Sequence, residues 1–405
     1  MSAMPKFKKP NLLILIIAAI IAGICCGWFF NEPLTRIFVT FNSLFSNFLG
    51  FCIPLIILGF VAPAIADLGG RAGKMLLVTV GLAYGVTLGA GFLSYFVSDS
   101  FFPGFIDVAT VDSSLQQTTD LQPFFTINMP PVIDIMSALV LSFLVGIGLT
   151  QIKAQESALK KIVMEFRDIV SWIIAKIIVP LLPVYIFGIF LKMSMTGEVN
   201  TILADFSKII LVIFALHLAW LVMLYFGAAL FSRGEKNPFK LLWTMLPAYF
   251  TALGTSSSAA TIPVTLRQTI KMGVDEDVAG FTVPLCATID LSGSALKIVS
   301  CALALMLMKG MPYDFGMFAY FVAMMGIALV AAPGVPGGSI MAAIGLLTSI
   351  LGFSEADCAL MIALYIAMDS FGTACNVTGD GAIAVVIDRF FGKKESSPSP
   401  APAID

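Results

Sequence analysis

The segment MDSFGTACNVTGDGA, Met368 to Ala382, places two aspartates and no basic residue in a strongly apolar part of the chain. At about 100° per residue on an α-helix, Asp369, Thr373, Asn376 and Asp380 fall within about 60° of one another. The result is one polar seam on an apolar rod. A lone polar residue of this kind would serve interhelical hydrogen bonding in a packed bundle. Four in line, two of them carboxylates, go beyond what packing alone requires.

Three further segments carry chemistry. GTSSSAATIP, Gly254 to Pro263, gathers hydroxyls and backbone N–H groups, and a helix N-terminus there can hold a carboxylate through unpaired amides and a partial positive dipole. GVPGGS, Gly334 to Ser339, can do the same from the opposite side. Between them ATIDLSGSALKIV, Ala287 to Val299, is an apolar span broken by Asp290, Ser292, Gly293 and Ser294. Carbonyls freed at such a break are hard oxygen ligands suited to a small hard cation. Lys297 follows Asp290 by about 10.5 Å of helix rise and lies on nearly the same face. An intramembrane lysine costs on the order of 2.5–3.5 kcal/mol even on a lenient scale. It must therefore snorkel to an interface, or reach a partner near Asp290 or a carboxylate on the final helix.

The elements that position these groups follow from composition. Only 12% of the 405 residues are charged and 59% are hydrophobic, and runs such as Asn11 to Phe30 reach the ~20 residues that cross a bilayer. A barrel would show short alternating segments instead, so the chain reads as an all-α polytopic membrane protein. Approximate spans are 11–30, 37–66, 72–98, 131–150, 168–192 and 207–232. Lys6, Lys8, Lys9, Arg71, Lys74, Lys153, Lys160, Lys161, Arg167, Arg233, Lys236 and Lys240 fall on the N-terminus and alternate loops, whereas 99–130 carries Asp107, Asp112 and Asp120 without Lys or Arg. By the positive-inside tendency both termini are cytoplasmic; residues 391–405 form a Ser/Pro-rich tail with little ability to pack. The seven cysteines lie mostly in apolar runs and read as small hydrophobes, and His217 as a hydrogen-bonded interior histidine. Nothing in the charge balance points to nucleic acid.

After residue 238 the regular pattern breaks. Residues 239–270 and 315–352 are apolar runs interrupted by GTSSSAATIP and AAPGVPGGS, each read as a re-entrant hairpin rather than a kinked span. Non-helical backbone at membrane depth is tolerated only where it is buried in protein or lines a cavity. Two broken segments in corresponding positions point to a transport site.

At this point the chain resembles the dicarboxylate/amino-acid:cation symporter family, the glutamate-transporter homologues. The resemblance is strongest over 239–390 and rests on GTSSSAATIPVTL, ATIDLSGSAL, GVPGGS and DSFGTACNVTGD in the family's order and spacing. It implies an elevator fold of eight transmembrane helices and two re-entrant hairpins, a homotrimer in the plasma membrane, and Na⁺ as coupling ion with no other cofactor. It further implies scaffold spans in 1–238, with the third span joining the transport domain, and a transport core in 239–390. By position, Asp369 matches the aspartate that takes the substrate's α-ammonium, Thr373 and Asn376 match polar substrate contacts, and Ser256, Ser257 and Ser258 match the α-carboxylate cradle. Val335, Gly337 and Gly338 match the second hairpin's closing tip. The implied Na⁺ ligands are Asp380, Asn376 and Asp290, with backbone carbonyls at Cys286 and Thr288.

Departures from the family pattern set the expected substrate. Gly372 stands where acidic-substrate members hold an arginine, and no other basic residue lies near in the motif. A second substrate carboxylate would then be buried unpaired, at high cost. The resemblance with this departure implies small neutral amino acids such as serine, threonine or alanine. The family's Asn-Met-Asp-Gly reads Asp290-Leu291-Ser292-Gly293 here, so one carboxylate has moved by two residues. Ser292 and Lys297 are accordingly candidates for altered coupling, with fewer Na⁺ per substrate expected if the lysine ammonium fills a cation position. Alternatives are a proton-coupled or exchange-mode carrier on the same fold, and an intramembrane hydrolase with a Ser–Lys pair.

Overall fold

Apolar runs buried in lipid become helices because nothing else there pairs the backbone. The structure is a computed structural model describing residues 12–70, 74–104, 106, 121–151, 157–196, 199–233, 235–330, 332 and 337–392, and among these it contains no strand. Val335, the acidic residues Asp107, Asp112 and Asp120, and the tail after Gly392 lie outside the described residues.

The first half comprises α1 (Leu12–Gly27), α2 (Glu32–Gly70), α3 (Lys74–Phe101), α4 (Ile135–Gln151), α5 (Ala158–Ile173), α6 (Val179–Thr196) and α7 (Val199–Phe231). The expected span 168–192 is longer than read. α5 starts at Ala158 and passes through a π-helical turn, Ile174–Ile178, into α6. Lys160, Lys161, Glu165, Arg167 and Asp168 kept those first turns out of any apolar run. Among the described residues six helical segments are long and apolar enough to cross a membrane.

The second half is four helix–break–helix units: α8 (Pro238–Thr255) with α9 (Ser258–Lys271), α10 (Glu276–Ile289) with α11 (Ser292–Met308), α12 (Phe315–Val330) with α13 (Gly338–Ser349), and α14 (Glu355–Ala367) with α15 (Asp369–Phe391). Each described break has a local cause. Ser256 ends α8 in the left-handed region at φ 49°, and Ser257, extended, caps α9 by accepting from the Ala260 N–H at 3.2 Å. Asp290 is extended at φ −90°, ψ 102°, and its side chain accepts from the Ser292 N–H at 3.2 Å, so it ends one helix and caps the next. Gly337 enters α13 at φ 76°, a backbone conformation comfortable only for glycine.

α1 packs on α6, and α2 on α4, α5 and α6; α3 lies against α11 and α12, and α15 is surrounded by α7, α8, α9, α10 and α11. α11 is buried from Ser292 through Leu307, and α15 over nearly its whole length. The polar seam therefore lies inside protein on every side, not on a helix face turned toward lipid.

Candidate functional site

The breaks converge on one cavity of about 40 Å³, room for a few waters at ~10–15 Å³ each. The α8–α9 tip brings Ser256, Ser257 and Ser258; the α10–α11 break brings Thr288 and Ser294; α13 brings Ser339, α14 brings Tyr365, and α15 brings Asp369, Thr373 and Asn376. The seam read from the sequence divides here. Its first three residues line the cavity, whereas Asp380, 1% exposed, does not and turns instead toward Asp290.

The serine tip is built for backbone recognition more than for hydroxyl recognition. The Ser256 Oγ is tied to the Ser370 Oγ on α15 at 2.7 Å, and the Ser257 Oγ is spent capping α9. What faces the cavity unspent is the first turn of α9 from Ser258, with its orphan N–H groups and positive dipole end. Asp369 lines the same cavity; its Oδ2 accepts from the Gly337 N–H at 3.2 Å, which ties the entry of α13 to α15. Gly338 follows as the first residue of α13.

Lys297 is the main departure from the sequence reading. It does not snorkel, being 0% exposed, and it does not bond Asp290. Its Nζ donates to Asp369 Oδ1 at 3.3 Å and to the Met368 carbonyl at 3.4 Å, and lies 3.6 Å from the centroid of the Tyr365 ring. It thus takes the second of the two expected reaches, a carboxylate on the final helix. It also fills the space beside Gly372, where a Cβ would meet Lys297 Cε at 2.5 Å and Nζ at 2.6 Å. The motif around Gly372 holds no basic residue, but the fold delivers one from α11. Lys297 reaches no serine of the α8–α9 tip by hydrogen bond, so the Ser–Lys hydrolase arrangement is absent among the described residues.

A second constellation lies outside the cavity lining. Asp290 and Asp380 are both buried and close enough to feel each other's charge. Asp290 Oδ2, Asp380 Oδ1, the Ser292 Oγ and the Thr378 Oγ1 have no hydrogen-bond partner among the described residues. Two buried carboxylates with free oxygens call for a shared proton or a bound cation, and an all-oxygen donor set would suit a hard one. Cys286 lies near both carboxylates, its carbonyl accepting from the Asp290 N–H at 2.8 Å. Thr288 is exposed toward the cavity with its hydroxyl on the Leu285 carbonyl, and the Asn376 Oδ1 accepts from the Gly293 N–H at 2.7 Å. Asn376 serves to satisfy the start of α11, whose N–H groups would otherwise be orphaned. His217 is interior, its Nε2–H donating to the Gly293 carbonyl at 3.0 Å.

Ser294, Ser339, Tyr365 and Ser370 are site residues that spacing did not single out as ligands. Tyr365 sits one helical turn before Asp369, a signal that would have found it had the α14–α15 junction been foreseen.

Buried charges, broken helices meeting at one cavity and an apolar exterior define a multi-pass membrane transport protein rather than an enzyme. The model of the sodium:dicarboxylate symporter family matches residues 12–390, and the chain belongs to that family. It is 28% identical over 262 residues to an excitatory amino acid transporter of Caenorhabditis elegans, covering 64% of this chain and 51% of that protein. It is 29% identical to excitatory amino acid transporter 1 of Rattus norvegicus over 64% of this chain and 47% of that protein. Over a shorter stretch, 38% of this chain and 27% of the relative, it is 33% identical to excitatory amino acid transporter 2 of Homo sapiens. The matches span about half the length of the first two of these relatives.

Proposed function

We propose that this chain is a Na⁺-coupled symporter of small neutral amino acids such as serine, threonine or alanine. The observation that carries this reading is the pairing, in one small cavity, of the α9 N-terminus with the Asp369 carboxylate. An anion site opposite a cation site is the complement of a zwitterion. The carboxylate pair Asp290–Asp380, at the α10–α11 break and on α15, would supply the Na⁺ site. Gly372 adds no charge for a second carboxylate, and the Lys297 ammonium is already engaged by Asp369, Met368 and Tyr365. In this reading α8–α9 and α12–α13 are re-entrant hairpins of a mobile core carrying α3, which packs on α11. α1, α2, α4, α5 and α6 belong to a trimeric scaffold in the plasma membrane, with both termini cytoplasmic.

A second reading has one specific observation behind it. The Lys297 ammonium lies beside Gly372, where it can meet the second carboxylate of an acidic amino acid, and the relatives named above are excitatory amino acid transporters. Uptake of radiolabelled serine, alanine and aspartate into proteoliposomes, with and without an inward Na⁺ gradient, tests both. Serine or alanine uptake that requires the gradient, and that Asp369→Asn abolishes, is the expected result. Uptake of aspartate in preference to serine establishes the second reading instead.

A further inference from the structure

We propose that Lys297 is a built-in stand-in for the substrate's ammonium: it pairs with Asp369 while the cavity holds no amino acid, and withdraws onto Tyr365 when one binds. This rests on the reading of the cavity as an amino-acid site. Lys297 lies in the second turn of α11 and is fully buried, away from bulk solvent. Its contacts with Asp369 at 3.3 Å and Met368 at 3.4 Å are long, against roughly 2.7–2.9 Å for a well-formed ammonium–carboxylate bond. On its other side the Tyr365 ring stands 3.6 Å away, and a desolvated ammonium is well held over an aromatic face. The ring is itself anchored, the Tyr365 hydroxyl sharing a hydrogen bond of 2.8 Å with the Ser294 Oγ. The lysine head is therefore held closely by the ring and only loosely by the carboxylate.

The space for this arrangement comes from Gly372, which leaves open the volume that Cε and Nζ occupy. A flexible four-carbon stem allows the short shift required. The consequence is electrostatic. An unpaired Asp369 buried in the membrane would oppose reorientation of the empty carrier, and a tethered ammonium removes that charge without a counter-transported cation. When substrate arrives, its ammonium competes for Asp369, and the ring and the Met368 carbonyl keep the displaced lysine from being left bare. Lys297 thereby lowers apparent substrate affinity and speeds the return of the empty site.

The test is equilibrium binding of radiolabelled serine and, separately, aspartate to purified full-length wild type, Lys297→Met, Tyr365→Leu and the double variant at saturating NaCl. Thermal unfolding checks that each is folded. Lys297→Met is expected to tighten serine binding by about tenfold, because the competitor is gone, and Tyr365→Leu to weaken it by a similar factor, because the displaced lysine loses its holder. The double variant should bind like Lys297→Met, since without the lysine the ring has nothing to hold. In proteoliposomes Lys297→Met should slow net uptake several-fold more than serine–serine exchange, which skips the empty return. Serine binding that is unchanged or weakened in Lys297→Met, or net uptake and exchange falling together, overturns the proposal. Loss of aspartate binding in that variant also overturns it and assigns Lys297 to a second substrate carboxylate. If wild type binds neither amino acid, the symport reading itself fails and the inference falls with it. Should Lys297→Met not fold, Lys297→Gln, with a neutral polar head, carries the same expectations.

Discussion

A side chain at residue 372 has to contend with a lysine from another helix. Read from the motif alone, Gly372→Arg would gain affinity for aspartate, because a guanidinium fork matches a carboxylate. In the fold, any Cβ at that position lies 2.5 Å from Lys297 Cε, and an arginine would bring a second cation against the first in a buried site. Gly372→Arg alone is therefore expected to lose binding of both serine and aspartate, by roughly tenfold or more. Combined with Lys297→Met it should bind aspartate in preference to serine; filter binding of the two labelled amino acids reads both outcomes. The line of Asp369, Thr373 and Asn376 was legible because helical period alone decides which residues share a face. The partner of Lys297 was not, because it depends on how closely α11 approaches α15, which no spacing within one helix encodes.

That approach is set by Gly293. A Cβ there would lie 2.6 Å from the Gly372 carbonyl oxygen, 2.7 Å from Cys375 Cβ and 3.0 Å from the Asn376 Oδ1. Two of these atoms are held by the backbone of α15 and cannot swing aside. Gly293→Ala should thus push α11 off α15, at the ~1–3 kcal/mol typical of overpacking. It should also break the Gly293–Asn376 bond that anchors the start of α11. A lower unfolding midpoint in detergent, together with weaker substrate binding, is the expected result; a midpoint equal to wild type would mean the two helices have slack here. At this scale the breaks at 254–258 and 290–294 were readable from Ser, Gly and Asp interrupting apolar runs. The break at Met368 was not, since IAMDSF holds no glycine or proline and Met368 ends α14 with an ordinary φ of −105°. The start of α5 was misplaced for the opposite reason, its charged first turns lying outside any apolar run.

Across the whole molecule the substrate cavity and the buried carboxylate pair are joined by one chain of contacts. Asp290 caps α11 at Ser292, Gly293 donates to Asn376, the Asn376 Nδ2 donates to the Ser294 Oγ at 3.4 Å, Ser294 bonds Tyr365, and Tyr365 faces Lys297 on Asp369. Contiguity is not coupling by itself, but it makes a definite linkage testable. If Na⁺ binds between Asp290 and Asp380, it fixes the start of α11 and so favours the cavity that recognises substrate; by reciprocity substrate must then tighten Na⁺. Removing one of the two charges leaves a weaker cation site and one fewer carboxylate to compensate. Asp380→Asn is accordingly expected to raise the Na⁺ concentration needed for half-maximal serine binding by roughly 5- to 150-fold, the usual range of such couplings. Most of the wild-type affinity should return when Na⁺ saturates, because Asp380 does not line the cavity. Titrating serine binding against NaCl at constant ionic strength with choline chloride measures both terms. Serine affinity that is the same in Na⁺ and in choline in the wild type would rule out Na⁺ coupling through this pair. A deficit in Asp380→Asn that persists at saturating Na⁺ would instead mean that Asp380 shapes the cavity directly, although it is not among the residues that line it.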